Sequence, residues 1–190
     1  MTARIAAPRR ARSPLLAPGV RPREVVAWAM YDFANSGYTT VVITAVFNAY
    51  FVAVVAGGAP WATLAWTLTL AVSYAAVMVT APIVGAYADR HATKKRLLVL
   101  TTLGCVACTA ALATAGPGTL ALTCVLVVAS NFFFSTGENL IAAFLPELAK
   151  GKALGKVSGW GWSFGYFGGM LSLGLSLGYV VWAQGQGQPV

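Results

Sequence analysis

Five apolar stretches, each long enough to cross a lipid bilayer, constrain this chain more than any other feature of its sequence. They cover about residues 27–56, 61–88, 97–115, 119–145 and 157–183. A helix needs about 20 mostly apolar residues to cross a hydrocarbon core of ~30 Å, and only helices and closed barrels satisfy their backbone polar groups in lipid. The sequence therefore predicts an all-α membrane protein with about five transmembrane helices.

The composition argues against a water-soluble globule. Only 9% of the residues are charged and 58% are hydrophobic, whereas roughly 25% of the residues in a soluble domain are charged. We divide the chain into a basic tail (1–23), a partial transmembrane bundle (24–184) and a polar tail (185–190). Four prolines interrupt the first tail, so we expect it to be disordered rather than a targeting helix.

The basic residues indicate how the helices are oriented. Six arginines lie within residues 4–23, four basic residues within 90–96 and three lysines within 150–156, while the other two connections have none. Short loops rich in Lys and Arg remain in the cytoplasm. We therefore predict a multi-pass protein of the cell (inner) membrane with a cytoplasmic N-terminus. The net charge of +8 is explained by topology, and we expect no nucleic-acid partner.

Two carboxylates lie well inside the apolar stretches, Asp32 in the first and Glu138 in the fourth. Ionisable groups in lipid are costly unless they face a bundle interior or a watery cavity, so each is a candidate functional residue. Other polar residues continue the same helical faces, at spacings of three, four or seven. The predicted residues of a substrate cavity or proton-coupling site are Asp32, Asn35, Ser36, Thr39, Asn131, Ser135 and Glu138.

A packing role is the alternative for these polar residues, because Ser, Thr and Asn often hydrogen-bond between membrane helices. For the five uncharged residues the sequence leaves both interpretations open. For the two carboxylates it favours a function, because a less costly residue could hold helices together.

The fifth stretch has a different pattern, in which small residues recur on one face. Gly161, Gly165 and Gly169 are four residues apart, and Gly168 lies beside them. Such spacing lets two helix backbones approach closely. We predict that this face packs against a neighbouring helix.

The sequence offers no pattern typical of an enzyme, a metal site or a cofactor. Cys105 and Cys108 form a C-x-x-C pair inside an apolar helix, where cysteine commonly packs as a small hydrophobic residue. His91 is the only histidine and follows the second stretch. We expect neither catalysis nor a bound metal or cofactor.

The segment that follows the second stretch, G-A-Y-A-D-R-H-A-T-K-K, begins at Gly85. It resembles the loop signature of the major facilitator superfamily, in which a glycine is followed by Asp-Arg and a basic run. The chain has Ala92 where a second glycine is usual and Thr93 where the first base is usual. The resemblance implies a cytoplasmic gate loop, formed here by Gly85, Asp89, Arg90, Lys94 and Lys95.

Three further motifs resemble one branch of that superfamily, the autophagy-related vacuolar amino-acid effluxers and their bacterial relatives. They are W-A-M-Y-D-F-A-N-S-G-Y-T-T from Trp28, F-L-P-E-L-A from Phe144 and V-S-G-W-G-W-S-F-G-Y from Val157. The resemblance extends from Trp28 to about Gly178. It implies that the first and fourth helices line a central cavity.

Members of this superfamily have two six-helix halves with the substrate site between them. The resemblance therefore implies that the chain is the N-terminal half of the fold, without its sixth helix, and that the missing C-terminal half is a partner. We expect a secondary active transporter that moves a small solute by alternating access. An amino acid or a similar polar metabolite is one candidate solute, and coupling of its transport to proton movement is one candidate energy source. The alternative is a non-transporting membrane scaffold or a degenerate half-transporter.

Overall fold

The computed structural model describes residues 16–151 and 153–187. It contains five long helices, each long and apolar enough to cross a membrane: Pro22–Val55, Ala62–Arg90, Lys94–Thr114, Leu120–Leu148 and Ala153–Gly185. We call them the first to the fifth helix. The predicted all-α fold with five membrane-spanning helices is confirmed.

Several helices extend beyond the apolar stretches, because backbone hydrogen bonding continues through polar residues at the ends of a membrane span. The first helix begins at Pro22, a residue favoured in the first turn because its missing N–H has no helical partner there. The Glu24 carboxylate accepts a hydrogen bond from the backbone N–H of Arg21. The fifth helix begins at Ala153, so polar residues such as Lys156 lie within its first turns.

The first helix is not regular along its length. α-Helical turns over Pro22–Gly37 are followed by a π-helical segment, Tyr38–Thr44, then by a short α-helix, Val46–Tyr50, and a second π-helical segment, Phe51–Val55. π-Helical turns are rare and often occur at functional sites. The first of these segments contains Thr39 and follows the other predicted polar residues of the first helix, Asp32, Asn35 and Ser36.

The helices pack around two central members, the first and the fourth. The fifth helix lies along the first, whereas the second and third helices both pack against the fourth. At one end of the bundle, a core of apolar side chains joins the first four helices. Phe51 and Trp66 pack there with ring centroids 5.1 Å apart, and Val127 is completely buried beside them.

A short segment before the first helix, residues 16–21, crosses the ends of the fourth and fifth helices, and we call it the strap. The backbone N–H of Ala17 donates to the carbonyl of Leu148 at 3.0 Å. The strap covers an apolar cluster that includes Val25, Ala153 and Val157. The structure thus differs from the expected disordered tail between residues 16 and 23, whereas Met1–Leu15 lie outside the described residues.

Candidate substrate cavity

A groove of about 570 Å³ opens between the first, fourth and fifth helices. Four of the predicted site residues line it, namely Asp32, Ser36, Thr39 and Glu138. The remaining lining residues come from the first and fifth helices: Thr40, Trp162, Gly165, Tyr166, Gly169, Met170 and Leu173. The structure therefore brings both membrane carboxylates to one groove, as we expected from the two polar stripes. One stripe is Asp32, Asn35, Ser36 and Thr39 of the first helix, and the other is Asn131, Ser135 and Glu138 of the fourth.

A hydrogen bond joins the two stripes. The Asn35 side-chain amide on the first helix donates to Oε1 of Glu138 on the fourth, at 2.5 Å. The bond fixes the position of this carboxylate between the two central helices, while Glu138 is only partly buried and still faces the groove. Asn35 is thus a positioning residue for Glu138.

Asp32 is placed by the close approach of the first and fifth helices. Its Oδ2 atom lies so close to Gly165 that a Cβ atom at residue 165 would clash with it. The Ser36 hydroxyl donates to the Asp32 carbonyl at 2.8 Å, and the Thr40 hydroxyl donates to the Ser36 carbonyl at 2.9 Å. Both hydroxyls donate their protons within their own helix, and their oxygens can still accept a hydrogen bond. The two carboxylates are the strongest hydrogen-bond acceptors that face the groove, because they are charged.

The predicted residues of the fourth helix do not all reach the groove. Asn131 is 1% exposed and its amide donates to the Ser73 hydroxyl of the second helix at 3.0 Å. The Ser73 hydroxyl in turn donates to the Val128 carbonyl. Asn131 therefore holds the second and fourth helices together, which is the packing interpretation that the sequence left open. Ser135 is half-buried and is not among the lining residues.

The sequence analysis missed the aromatic wall of the groove. Trp162 and Tyr166 of the fifth helix both line it, with ring centroids 6.3 Å apart. It also missed the buried hydrogen bonds of aromatic side chains, such as that between the Tyr38 and Ser130 hydroxyls at 2.8 Å. A signal was available, because Tyr and Trp side chains within a membrane need a partner for their polar atom.

The four predicted packing glycines all face the first helix. A Cβ atom at Gly161 would meet the Trp28 ring, one at Gly168 would overlap the Phe33 backbone carbonyl, and one at Gly169 would meet the Thr40 hydroxyl. The fifth helix therefore rests on the first through positions that have no side chain. This contact forms one side of the groove.

Comparison with known proteins identifies the family. The family described as "Vacuole effluxer Atg22 like" matches residues 52–188, most of the chain. The chain belongs to this Atg22-like family. The predicted membership of the vacuolar-effluxer branch of the major facilitator superfamily is confirmed.

A curated relative supports this assignment. The Atg22-like chain is 30% identical over 167 residues to the uncharacterized MFS-type transporter YxiO of Bacillus subtilis (strain 168). The match covers 86% of this chain and 39% of the relative, so the chain spans well under half of that protein's length. No solved structure matches the chain.

The predicted gate loop of this Atg22-like chain is tied to the end of the fourth helix. The Lys94 ammonium group forms ion pairs of 2.8 Å with both Asp89 and Glu147. It also lies 5.9 Å from the centroid of the Phe144 ring. Lys94 thus connects the loop signature to the F-L-P-E-L-A motif, while Arg90 and Lys95 remain exposed.

The loop signature has two positions where glycine is usual, Gly85 and Ala92 in this chain, and the structure gives a physical reason for glycine at only the second. Ala92 has a φ of +50°, in the left-handed region where a glycine avoids the steric cost of a Cβ atom. This explains why a glycine is usual there. The Thr93 hydroxyl is buried without a hydrogen-bond partner in the part of the chain that the structure describes. No atom lies within 4 Å of a Cβ placed at Gly85, so close packing within the described residues does not explain that glycine.

Proposed function

We propose that this protein transports a small polar solute across a membrane by alternating access, and that the first, fourth and fifth helices line one side of the path. The observation that carries the proposal is the groove in which Asp32 and Glu138 meet. Two carboxylates are costly at this depth, yet neither is paired with a basic side chain among the residues that line the groove. A passing solute or proton supplies the missing partner.

The chemistry of the groove favours a solute with a positively charged nitrogen. The carboxylates attract an ammonium group, and the faces of Trp162 and Tyr166 can add cation–π attraction. Ser36, Thr39 and Thr40 offer further polar atoms. An amino acid or a similar amine-bearing metabolite meets these requirements, and a purely anionic solute does not.

Glu138 is our choice for the residue that carries a coupled proton. Its carboxylate faces the groove and is held by Asn35. An amide can donate to an ionised carboxylate and can accept from a protonated one through its own oxygen. The Asn35 side chain can therefore stabilise both forms, which suits a group that takes up and releases one proton in each transport cycle.

We further propose that the N-terminus is cytoplasmic and that the protein resides in the cell membrane. Cysteine labelling tests the orientation, in a background where the three native cysteines are replaced by alanine. An impermeant thiol reagent added outside intact cells should label Pro117→Cys, between the third and fourth helices, but not Lys95→Cys, at the start of the third helix. Both positions are exposed. The reverse labelling pattern would refute the proposed orientation.

A transport assay tests the proposed function itself. The protein, expressed with whatever its gene encodes beyond residue 190, is reconstituted into sealed vesicles and offered a panel of amino acids, amines and organic acids under an imposed pH gradient. We expect uptake or efflux of an amine-bearing solute that collapses when the gradient is dissipated. If no solute in the panel moves, while labelling shows a correctly inserted protein, the scaffold interpretation is favoured.

A further inference from the structure

A second groove lies on the opposite side of the contact between the first and fifth helices. It has a volume of about 270 Å³ and is lined by apolar side chains and one charged side chain, Lys156. On the fifth helix its lining includes Lys156, Trp160 and Phe164, which are four residues apart and share one face. The groove that contains Asp32 and Glu138, which we call the solute groove, lies on a different face of this helix, at Trp162, Gly165 and Gly169. The two grooves are therefore separate.

The second groove opens toward the surroundings of the bundle. Its wall from the first helix includes Val26, which is 57% exposed, and its wall from the fifth includes Trp160, which is 68% exposed. Leu16 of the strap lines it at the end near Lys156. An apolar, open groove of this kind within a spanning helix pair suits a hydrocarbon chain.

The charged residues at the end of the groove indicate which class of lipid headgroup it favours. Lys156 is near the start of the fifth helix and Trp160 is one turn further along it. Basic residues and tryptophan are both enriched where a membrane span meets the headgroups, so we expect this end of the groove to lie near the bilayer surface. Arg21 and Arg23 flank the lining residue Pro22, and Lys150 precedes the fifth helix. Two acidic residues lie near this end: Glu24, which caps the first helix, and Glu147, which is paired with Lys94. Basic side chains therefore outnumber acidic ones around this end of the groove, and Lys156 is the charged side chain that lines it.

We propose that this groove binds one anionic phospholipid, with an acyl chain along Val26, Trp160 and Phe164 and the phosphate-bearing headgroup at Lys156. Basic clusters at the membrane surface attract anionic headgroups, and a basic pocket between helices can hold one specifically. A zwitterionic lipid would gain the same apolar contact without the charge attraction. The bound lipid would stabilise the contact of the first and fifth helices on the side away from the solute.

Native mass spectrometry of the protein in a mild detergent, expressed with whatever its gene encodes beyond residue 190, tests the proposal. The probes are phosphatidylglycerol and phosphatidylcholine of matched acyl chains. We expect phosphatidylglycerol to be retained preferentially. Lys156→Gln should weaken its binding about fivefold, the effect of one basic residue near an anionic lipid. Arg96→Gln removes the same charge from an exposed position outside the groove and should change binding much less. Val26→Trp, which adds bulk at an exposed groove position, should displace both lipids.

Three results would overturn the proposal. One is equal retention of the two lipids by the wild-type chain, and another is an equal loss in Lys156→Gln and Arg96→Gln, which would show a general effect of surface charge. The third is a disulfide-linked dimer of Trp160→Cys, in the cysteine-free background, together with no preference of the wild-type protein for phosphatidylglycerol. That result would show that a second copy covers the groove. The thermal stability of each variant without added lipid checks that it is folded.

Discussion

Replacing Glu138 by glutamine is expected to abolish the response of transport to a pH gradient while leaving the protein folded. Glutamine keeps the size of the side chain and can still accept a hydrogen bond from Asn35 at the position of Oε1, but it cannot take up a proton. If Glu138 carries the coupled proton, concentrative transport should be lost. Exchange of solute across the membrane at equal pH should continue, because it needs no net proton movement. Both rates are measured in sealed vesicles.

Two matched variants make this result specific. Glu24→Gln makes the same chemical change at an exposed carboxylate outside the groove and should keep the full response to pH. Asp32→Asn removes the other groove carboxylate and is expected to weaken solute binding, which appears as a higher KM. If Glu138→Gln transports at the wild-type rate with the full response to pH, Glu138 is not the proton carrier and its bond to Asn35 serves only helix packing.

Replacing Gly168 by alanine should destabilise the protein strongly for so small a change. The added Cβ atom would overlap the backbone carbonyl of Phe33, and a helix backbone cannot move aside as a flexible side chain can. Overpacking a well-packed contact costs about 1–3 kcal/mol, occasionally more. We expect a loss in this range in the free energy of unfolding, measured by titration with a denaturing detergent.

The same helix contains its own control. No atom lies within 4 Å of a Cβ placed at Gly174, so Gly174→Ala meets no obstacle there. In addition, alanine is favoured over glycine inside a helix by up to about 1 kcal/mol. The two substitutions should therefore change stability in opposite directions. Equal effects at the two positions would show that the fifth helix does not rest on the first through its glycine face.

The fold could be predicted largely because membrane helices obey few rules. Length and polarity alone located the five spans, and a period of four residues placed Gly161, Gly165 and Gly169 on one face of the fifth helix. The ends of the helices were harder to predict from the sequence. Arg23 and Lys156 lie within helical turns, although the sequence placed Arg23 in the N-terminal tail and Lys156 in the connection before the fifth helix.

The site could be predicted only in part. Periodicity placed Asp32 and Ser36 on one face because the first helix is α-helical up to Gly37. Thr39 lies in the π-helical segment that follows and also lines the groove. On the fourth helix, a spacing of seven from Asn131 to Glu138 suggested one face, but the second helix packs close enough to Asn131 to take it as a partner. Spacing within one helix cannot show which neighbour faces each residue. The sequence did not reveal the aromatic wall of the groove for the same reason, because it does not show which neighbour Trp162 and Tyr166 of the fifth helix face.

The π-helical segment Tyr38–Thr44 has a consequence for how this protein can vary. A π turn holds one more residue than an α turn, because its hydrogen bonds join residues five apart. Deleting one residue from this segment can be absorbed by converting it to α-helix, which leaves Asp32 before it and Phe51 after it facing the same neighbours. The same deletion between Asp32 and Asn35 would turn the two residues to different sides. The first helix thus has, just beyond Asp32, a stretch where its length can change while the residues on either side keep their register.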